Sequence, residues 1–460
     1  MTLFFLAPYL AGMLAIGLAS RRIASRSEAS YYVADRAFGS WRGFAALAAT
    51  TTGGSTTIVC AALVYRHGLA GIWLDLAGAL GLFALGLLLA GRVRETGAMT
   101  LPEIAGRFYG QTARRVSGVL VLLAEIAWFA LLTEASQTVL TAAFGVRETP
   151  ALLASAAVFI AYTSLGGQYA VIRTDLVKYS LMVAGILLVG GGSAFLRFGG
   201  RLHFPPQALA FPVSATLPWG AVLTWLLLVG LPHLVGSDVY AKILSCRDER
   251  AARNAAWGAA ASKVVFGVAV AALALCVRQT APPLDFPEQA LPRALLGFPP
   301  PLLASLALVA LLAAMHSSAD SVLLSAASVT VRDVLPSLLN RRPGFRLARI
   351  LVPIYGVFGL LVALRMRQLV ETLKLGYSLF TASMILPILF GFFRRLWLPP
   401  ADAIAAMVAG GTLALAGSLL PAGTLRADPV VAGTGVNLLI LLLAILRTRL
   451  AGRCPGDYRR

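Results

Sequence analysis

Apolar runs of roughly 17 to 25 residues recur from one end of this chain to the other, the length a helix needs to cross the hydrocarbon core of a bilayer. Such runs have few structural options. Away from water every backbone amide and carbonyl must find a partner within the protein, so only helices or closed barrels can span, and runs this long and continuous read as helices. Composition agrees: 58% of the 460 residues are hydrophobic, 13% are charged, and the mean hydropathy is +0.80. A soluble chain of this size would need far more polar surface. The runs begin near Thr2, Gly43, Gly71, Arg115, Pro150, Thr174, Pro218, Ala255, Pro300, Leu347, Lys374, Ala401 and Pro429, which predicts an all-α polytopic membrane protein of thirteen helices.

The net charge of +19 does not point to nucleic acid, because of where the charge sits. Basic residues cluster in short segments between alternate runs, such as "SRRIASRSEASYYVADRAFGSWR" and "VRDVLPSLLNRRPGFRLAR". About 29 of the Lys and Arg residues fall on one side of the predicted topology and about 10 on the other, so the positive-inside rule puts the amino terminus outside and the carboxy terminus in the cytoplasm. The expected location is the inner (plasma) membrane, with the lipid bilayer as partner. The first run, "LFFLAPYLAGMLAIGLASRR", lacks a basic start and a small-residue cleavage pattern and reads as a retained helix. Cys60, Cys246, Cys276 and Cys454 have no disulfide or metal-ligand spacing. No catalytic triad, metal cluster or phosphate loop falls on a consistent face, so an enzyme is not expected. No obligatory protein partner is evident either.

Three segments are too polar for their surroundings. "AATTTGGSTTIV", residues 48–59, combines Gly53-Gly54 with five threonines and a serine inside an apolar run. Weak helix formers and hydroxyls that offer the backbone other hydrogen bonds predict an interrupted helix over Ala49 to Ser55. An interruption at membrane depth is tolerated where it lines a cavity, and its freed carbonyls can hold a small cation. The same composition also suits a small-residue packing seam. In "LLAAMHSSADSVLLSAASVTVRDV", Ala314, Ser317 and Ser318 share one helix face at i, i+3 and i+4, presenting neutral oxygens suited to a monovalent ion. These serines could instead bond back to their own helix. In "AYTSLGGQYAVIRTDLVKYSLM", Gly166-Gly167 predicts a turn and Asp175 stands early in the next helix, where an ionisable residue is a functional candidate. Lys178, one turn on, could simply neutralise it.

These segments resemble the sodium/solute symporter family, the group that includes sodium–proline, sodium–glucose and sodium–sialic acid transporters. "YYVADRAFGSW" and "MTLPEIAGRFYG" are similar to its first two cytoplasmic loops, "YTSLGGQYAVIRTD" to its double-glycine signature, and "AAMHSSADSVLLSAASVTVRD" to its late cation-binding helix. The resemblance implies a five-plus-five inverted-repeat (LeuT-like) fold in one transporter domain spanning 1–460. An extra first helix and loop would occupy 1–42, the repeats 43–196 and 217–393, two accessory helices 401–448, and a cytoplasmic tail 449–460. Each repeat should open with a broken helix. The "WLLLVGLPHLVGSDVYAK" run supplies Gly230, Pro232 and His233 as the second discontinuity.

Carried over by resemblance, a sodium ion would sit among the carbonyls of Ala49, Thr52 and Ala314 and the hydroxyls of Ser317 and Ser318. Asp175 would be a ligand of a possible second sodium. At about 4 Å and an effective dielectric near 20, the Lys178 ammonium beside Asp175 is worth about 4 kcal/mol, which favours one sodium over two. Thr50, Thr51, Gly53 and His233 should face the solute. Asp75 and Lys263 align with polar solute-binding positions of the family, or form a plain structural pair. Trp128, Glu134 and Gln137 are candidates along a flanking helix. The "GLPH" run tilts the expected solute toward a small carboxylate or amino acid. The function this implies is sodium-coupled solute import by alternating access. A proton-coupled or sodium-independent carrier, or a solute-sensing membrane domain, remains open.

Overall fold

The computed structural model describes residues 2–164, 166–199, 201–341, 343–366, 368–393, 398–420 and 427–450. The tail expected at 449–460, with Cys454, lies outside them from residue 451 onward. The described chain is helical throughout. Eleven helices are long and apolar enough to cross a membrane. In chain order the elements are α1 (Thr2–Ala24), α2 (Ser40–Thr51), α3 (Gly54–His67), α4 (Leu69–Glu95), α5 (Leu101–Phe144), α6 (Glu148–Thr163) and α7 (Gly167–Phe198). There follow α8 (Trp219–Leu244), α9 (Glu249–Thr280), α10 (Pro301–Leu339), α11 (Leu347–Met366), α12 (Leu369–Phe392), α13 (Pro400–Leu419) and α14 (Pro429–Leu450). Counting α2 with α3 as one interrupted run, and adding the 16-residue α6, returns the expected thirteen segments.

Local chemistry sets several boundaries. Helix α5 starts with a capping box: the Thr100 side chain accepts from the Glu103 amide at 3.2 Å, while Glu103 Oε2 accepts from Met99 N at 3.1 Å, and Pro102 sits in the first turn. Its 44 residues would stretch about 66 Å if continuous, twice a bilayer core. Gly110, at φ 83°, divides it into a short leading helix and the span proper. Asp248 caps α9 by accepting from Ala251 N at 2.7 Å. Gly167 begins α7 at φ +58°, and a Cβ there would meet Tyr31 at 2.8 Å. The double glycine and the aromatic pair of the first loop are therefore two halves of one contact.

Helix α10 forms the centre. Of its most apolar stretch 83% is buried, against 17% for α1, which lies at the periphery as an added first helix would. Ala and Ser recur along α10, and small residues let helices close in where lipid supplies no hydrophobic drive between them. Many large apolar side chains are exposed, for example Phe195, Leu196 and Leu443, as a lipid-facing surface requires.

Both expected discontinuities are present. The first gap is Thr52–Gly53, where Gly53 turns to φ −52°, ψ 156° before α3 resumes. It is shorter than the Ala49–Ser55 interruption expected, because Ala49, Thr50 and Thr51 stay helical. In α8 the chain leaves the helix at Val235–Gly236, after Leu234 and before Ser237. The break expected at Gly230, Pro232 and His233 thus falls a few residues later. Pro232 does not break the chain's helical course: it follows closely on a widened helical turn, Leu226–Gly230, of the kind that accommodates a missing N–H.

Candidate ion and solute site

The site begins at the first gap. A helix that stops leaves its last carbonyls without intrahelical donors. Thr57 restores one, its hydroxyl donating to Thr52 O at 2.9 Å and Gly53 O at 3.1 Å. Across the gap stands α10: Ser318 Oγ donates to Thr50 O at 2.9 Å, and Thr50 Oγ1 lies 3.3 Å from Ser321 Oγ. Ala49, Thr50 and Thr52 on one side, and Ala314, Ser317 and Ser318 on the other, are all buried. Thr50 thus meets Ser318 and Ser321 at a seam between α2 and α10.

Gly53 is what lets the seam close. A Cβ at that position would fall 1.9 Å from Ser318 Oγ and 2.9 Å from Thr50 O. Gly53→Ala is therefore expected to push α10 off the gap, costing about 1–3 kcal/mol by overpacking. A lowered thermal midpoint of the purified variant is the measurement; an unchanged midpoint would mean that the contact gives way freely.

Beside the seam lies a second polar layer, more highly charged than the sequence suggested. Asp175 accepts from Ser317 Oγ at 2.7 Å and from Lys242 Nζ at 2.6 Å, with Lys178 Nζ 3.6 Å away. Lys178 turns mainly to Asp320, at 2.5 Å, and donates to Tyr162 Oη at 2.7 Å. Asp320 also accepts from the Thr163 hydroxyl at 3.1 Å. None of the four charged side chains is more than 1% exposed. Two carboxylates and two ammoniums balance, which is the condition for burying ions in a medium that cannot solvate them. Ser317 and Lys178 address the same oxygen, Asp175 Oδ1.

A central cavity of about 40 Å³ is lined by Thr50, Thr51, Gly53, Trp128, His233 and Ser318, together with Asp238 and Tyr377. Trp128 and Tyr377 are ring to ring at 5.0 Å. A wider vestibule of about 490 Å³ opens at the end of the bundle where α5 terminates, and Gln137 faces it.

A family model for the sodium:solute symporter family matches residues 31–410. The chain belongs to that family. Among curated relatives of this family member, the high-affinity choline transporter 1 of Caenorhabditis elegans is 26% identical, the match covering 66% of this chain and 55% of the relative. The sodium/pantothenate symporter of Haemophilus influenzae is 24% identical over 66% of this chain and 65% of its own. The chain thus spans between half and two thirds of the length of these relatives. A solved structure of a Na+-coupled sialic acid symporter in a substrate-bound outward-open state shares the fold, with a TM-score of 0.80 and 18% identity over 98% of this chain and 97% of that one. Family and fold are those of transporters, not enzymes.

Not every expected solute residue faces the cavity. Lys263 Nζ is 2.9 Å from Asp75 Oδ1 and donates to Thr51 O at 2.6 Å, fully buried. The pair lies outside the residues lining the cavity and ties α9 and α4 to the last turn of α2. His233 lines the cavity, with Nδ1 2.8 Å from Val229 O. Gln137 belongs to the vestibule instead. Lys242, Asp320, Thr57 and Asp238 went unnoticed in the sequence. So did Glu125, which accepts from Ser325 at 2.6 Å, while Ser325 meets Ser237 at 2.8 Å. Intramembrane charge was the available signal for Asp320, Glu125 and Lys242.

Proposed function

We propose that the protein is a sodium-coupled carrier that imports a small polar organic solute by alternating access across the plasma membrane, with its amino terminus outside. The observation that carries this reading is the bond from Ser318 Oγ to Thr50 O across the first helix gap. A sodium ion held by the carbonyls of Ala49, Thr52 and Ala314 and the hydroxyls of Ser317 and Ser318 would tie α2 to α10. The gap wall is also the cavity wall, so ordering it for the ion orders it for the solute, and each must raise the other's affinity. The membrane potential adds about 2.3 kcal/mol per 100 mV for the charge moved. The division into repeats at 43–196 and 217–393 belongs to the same reading, since each half then opens with one of the two gaps.

A single sodium ion per cycle is part of the proposal. Asp175, the candidate for a second ion, has its oxygens engaged by Ser317, Lys242 and Lys178. Tethered ammoniums stand where a mobile cation would have to enter. A second reading, a carrier run without sodium, rests on the same observation, for Lys178 shares a carboxylate oxygen with Ser317 and could do the ion's work.

Uptake into proteoliposomes separates the two. With equal internal salt, an inward sodium gradient should drive solute accumulation, and an equal caesium gradient should not. Accumulation at the same rate in caesium would eliminate the sodium reading and favour the alternative.

A further inference from the structure

The names of the relatives span choline, pantothenate and proline, and so leave the solute to be argued from the cavity. Charge is distributed unusually here. The chain has 39 basic and 20 acidic residues, yet the vestibule is faced by Glu134, Glu148, Asp285, Glu288 and Glu371 against one cation, Arg66. Among the described residues none of these five carboxylates has an ion-pair partner. A low-dielectric funnel of one sign concentrates the opposite charge within it.

At the inner end of the vestibule, Glu134 is only 5% exposed. Its Oε1 accepts from Thr372 at 2.9 Å, and its buried Oε2 has no hydrogen-bond partner. A buried carboxylate oxygen left unsatisfied is costly unless a donor visits it. Two turns of helix lead inward from there: Trp128 precedes Glu134 on α5, and Tyr377 follows Thr372 on α12, and both line the central cavity. Opposite them on α8 is Asp238, which accepts from Val239 N at 2.8 Å and has no ion-pair partner among the described residues. Two aromatic rings and a carboxylate form the surroundings an organic ammonium group prefers. Among the described residues lining the cavity there is no lysine or arginine to pair an isolated carboxylate, only neutral donors such as the unpartnered Trp128 Nε1. Lys263 is spent on Asp75 and Thr51 O, and His233 Nδ1 on Val229 O.

We propose that the solute carries an ammonium group, gathered by the acidic vestibule, passed by Glu134 and held by Asp238 against Trp128 and Tyr377. This rests on the carrier reading above and narrows it: an amino acid or a quaternary amine fits, and a plain carboxylate or a sugar does not.

The test uses purified full-length protein, followed by thermal unfolding with choline, glycine betaine, proline and the common amino acids, and with propionate and galactose. Each is measured in sodium and in caesium. A midpoint shift is expected with at least one ammonium compound and with neither propionate nor galactose. Choline alone would identify a cation, and betaine, proline or another amino acid a zwitterion; either supports the proposal. Asp238→Asn should weaken the effective compound roughly tenfold, the loss of one charged contact. Glu134→Gln should slow its uptake more at low ionic strength than at high. A shift with propionate or galactose, or with no ammonium compound, overturns the proposal. Failure of the sodium reading is seen separately, as an equal midpoint in sodium and caesium without any solute.

Discussion

Alanine at both Ser317 and Ser318 is expected to abolish the sodium dependence of uptake while leaving a folded protein. The two hydroxyls are neutral oxygens on one face of α10, and Ser318 already bonds to Thr50 O across the gap in α2–α3. Each contact between a hydroxyl and a full charge is worth about 1.5–3 kcal/mol, so losing both should weaken sodium binding by roughly a hundredfold or more. The substitutions remove little volume and leave Asp175 with its Lys242 partner at 2.6 Å, so the fold should survive. Sodium titration of the thermal midpoint, alongside uptake against sodium concentration, measures the effect. Unaltered sodium affinity in the double variant would put the ion somewhere else.

Lys178→Met is expected to destabilise the protein more than any other single change described here. It takes the ammonium from Asp320, whose remaining contact is the Thr163 hydroxyl, and leaves an uncompensated carboxylate at zero exposure. Breaking one side of a buried pair costs about 3–5 kcal/mol, whereas replacing both sides with neutral groups can cost almost nothing. Lys178→Met combined with Asp320→Asn should therefore recover most of the lost thermal stability. If the single variant unfolds at the wild-type midpoint, the four-charge layer does not hold α6, α7, α8 and α10 together as described.

The fold was legible because it follows from one-dimensional patterns. Apolar runs of fixed length, alternating basic loops and two clusters of weak helix formers suffice for thirteen segments and two gaps. The exact gaps were not. The Ala49–Thr51 stretch stays helical because Thr51 Oγ1 bonds back to Leu47 O at 2.7 Å and Ser318 caps Thr50 O from another helix. The second gap falls past Pro232, since the widened turn Leu226–Gly230 just before it absorbs the proline within the helix.

Of the residues proposed for sodium, the pattern marked three positions sharing a helix face and a glycine pair with its threonines, and the resemblance supplied the set. The charged layer was legible only in part. Asp175 and Lys178 are one helical turn apart and invited pairing, yet Lys178 chose Asp320 and Asp175 chose Lys242, 142 and 67 residues away. In an apolar medium every buried charge must find its opposite, but sequence distance does not say which one.

By itself, then, the order of residues determined that this chain crosses a membrane repeatedly and which runs are weak enough as helices to break. These are matters of period, length and backbone propensity, each decided within a few neighbours. Only the tertiary structure decided that Lys263 closes on Asp75 instead of facing the solute, that two lysines fill the surroundings of Asp175, and that five unpaired carboxylates collect at one mouth of the bundle. Those outcomes depend on which helices pack against one another. A charge in hydrocarbon takes its role from the groups that packing brings within a few ångströms.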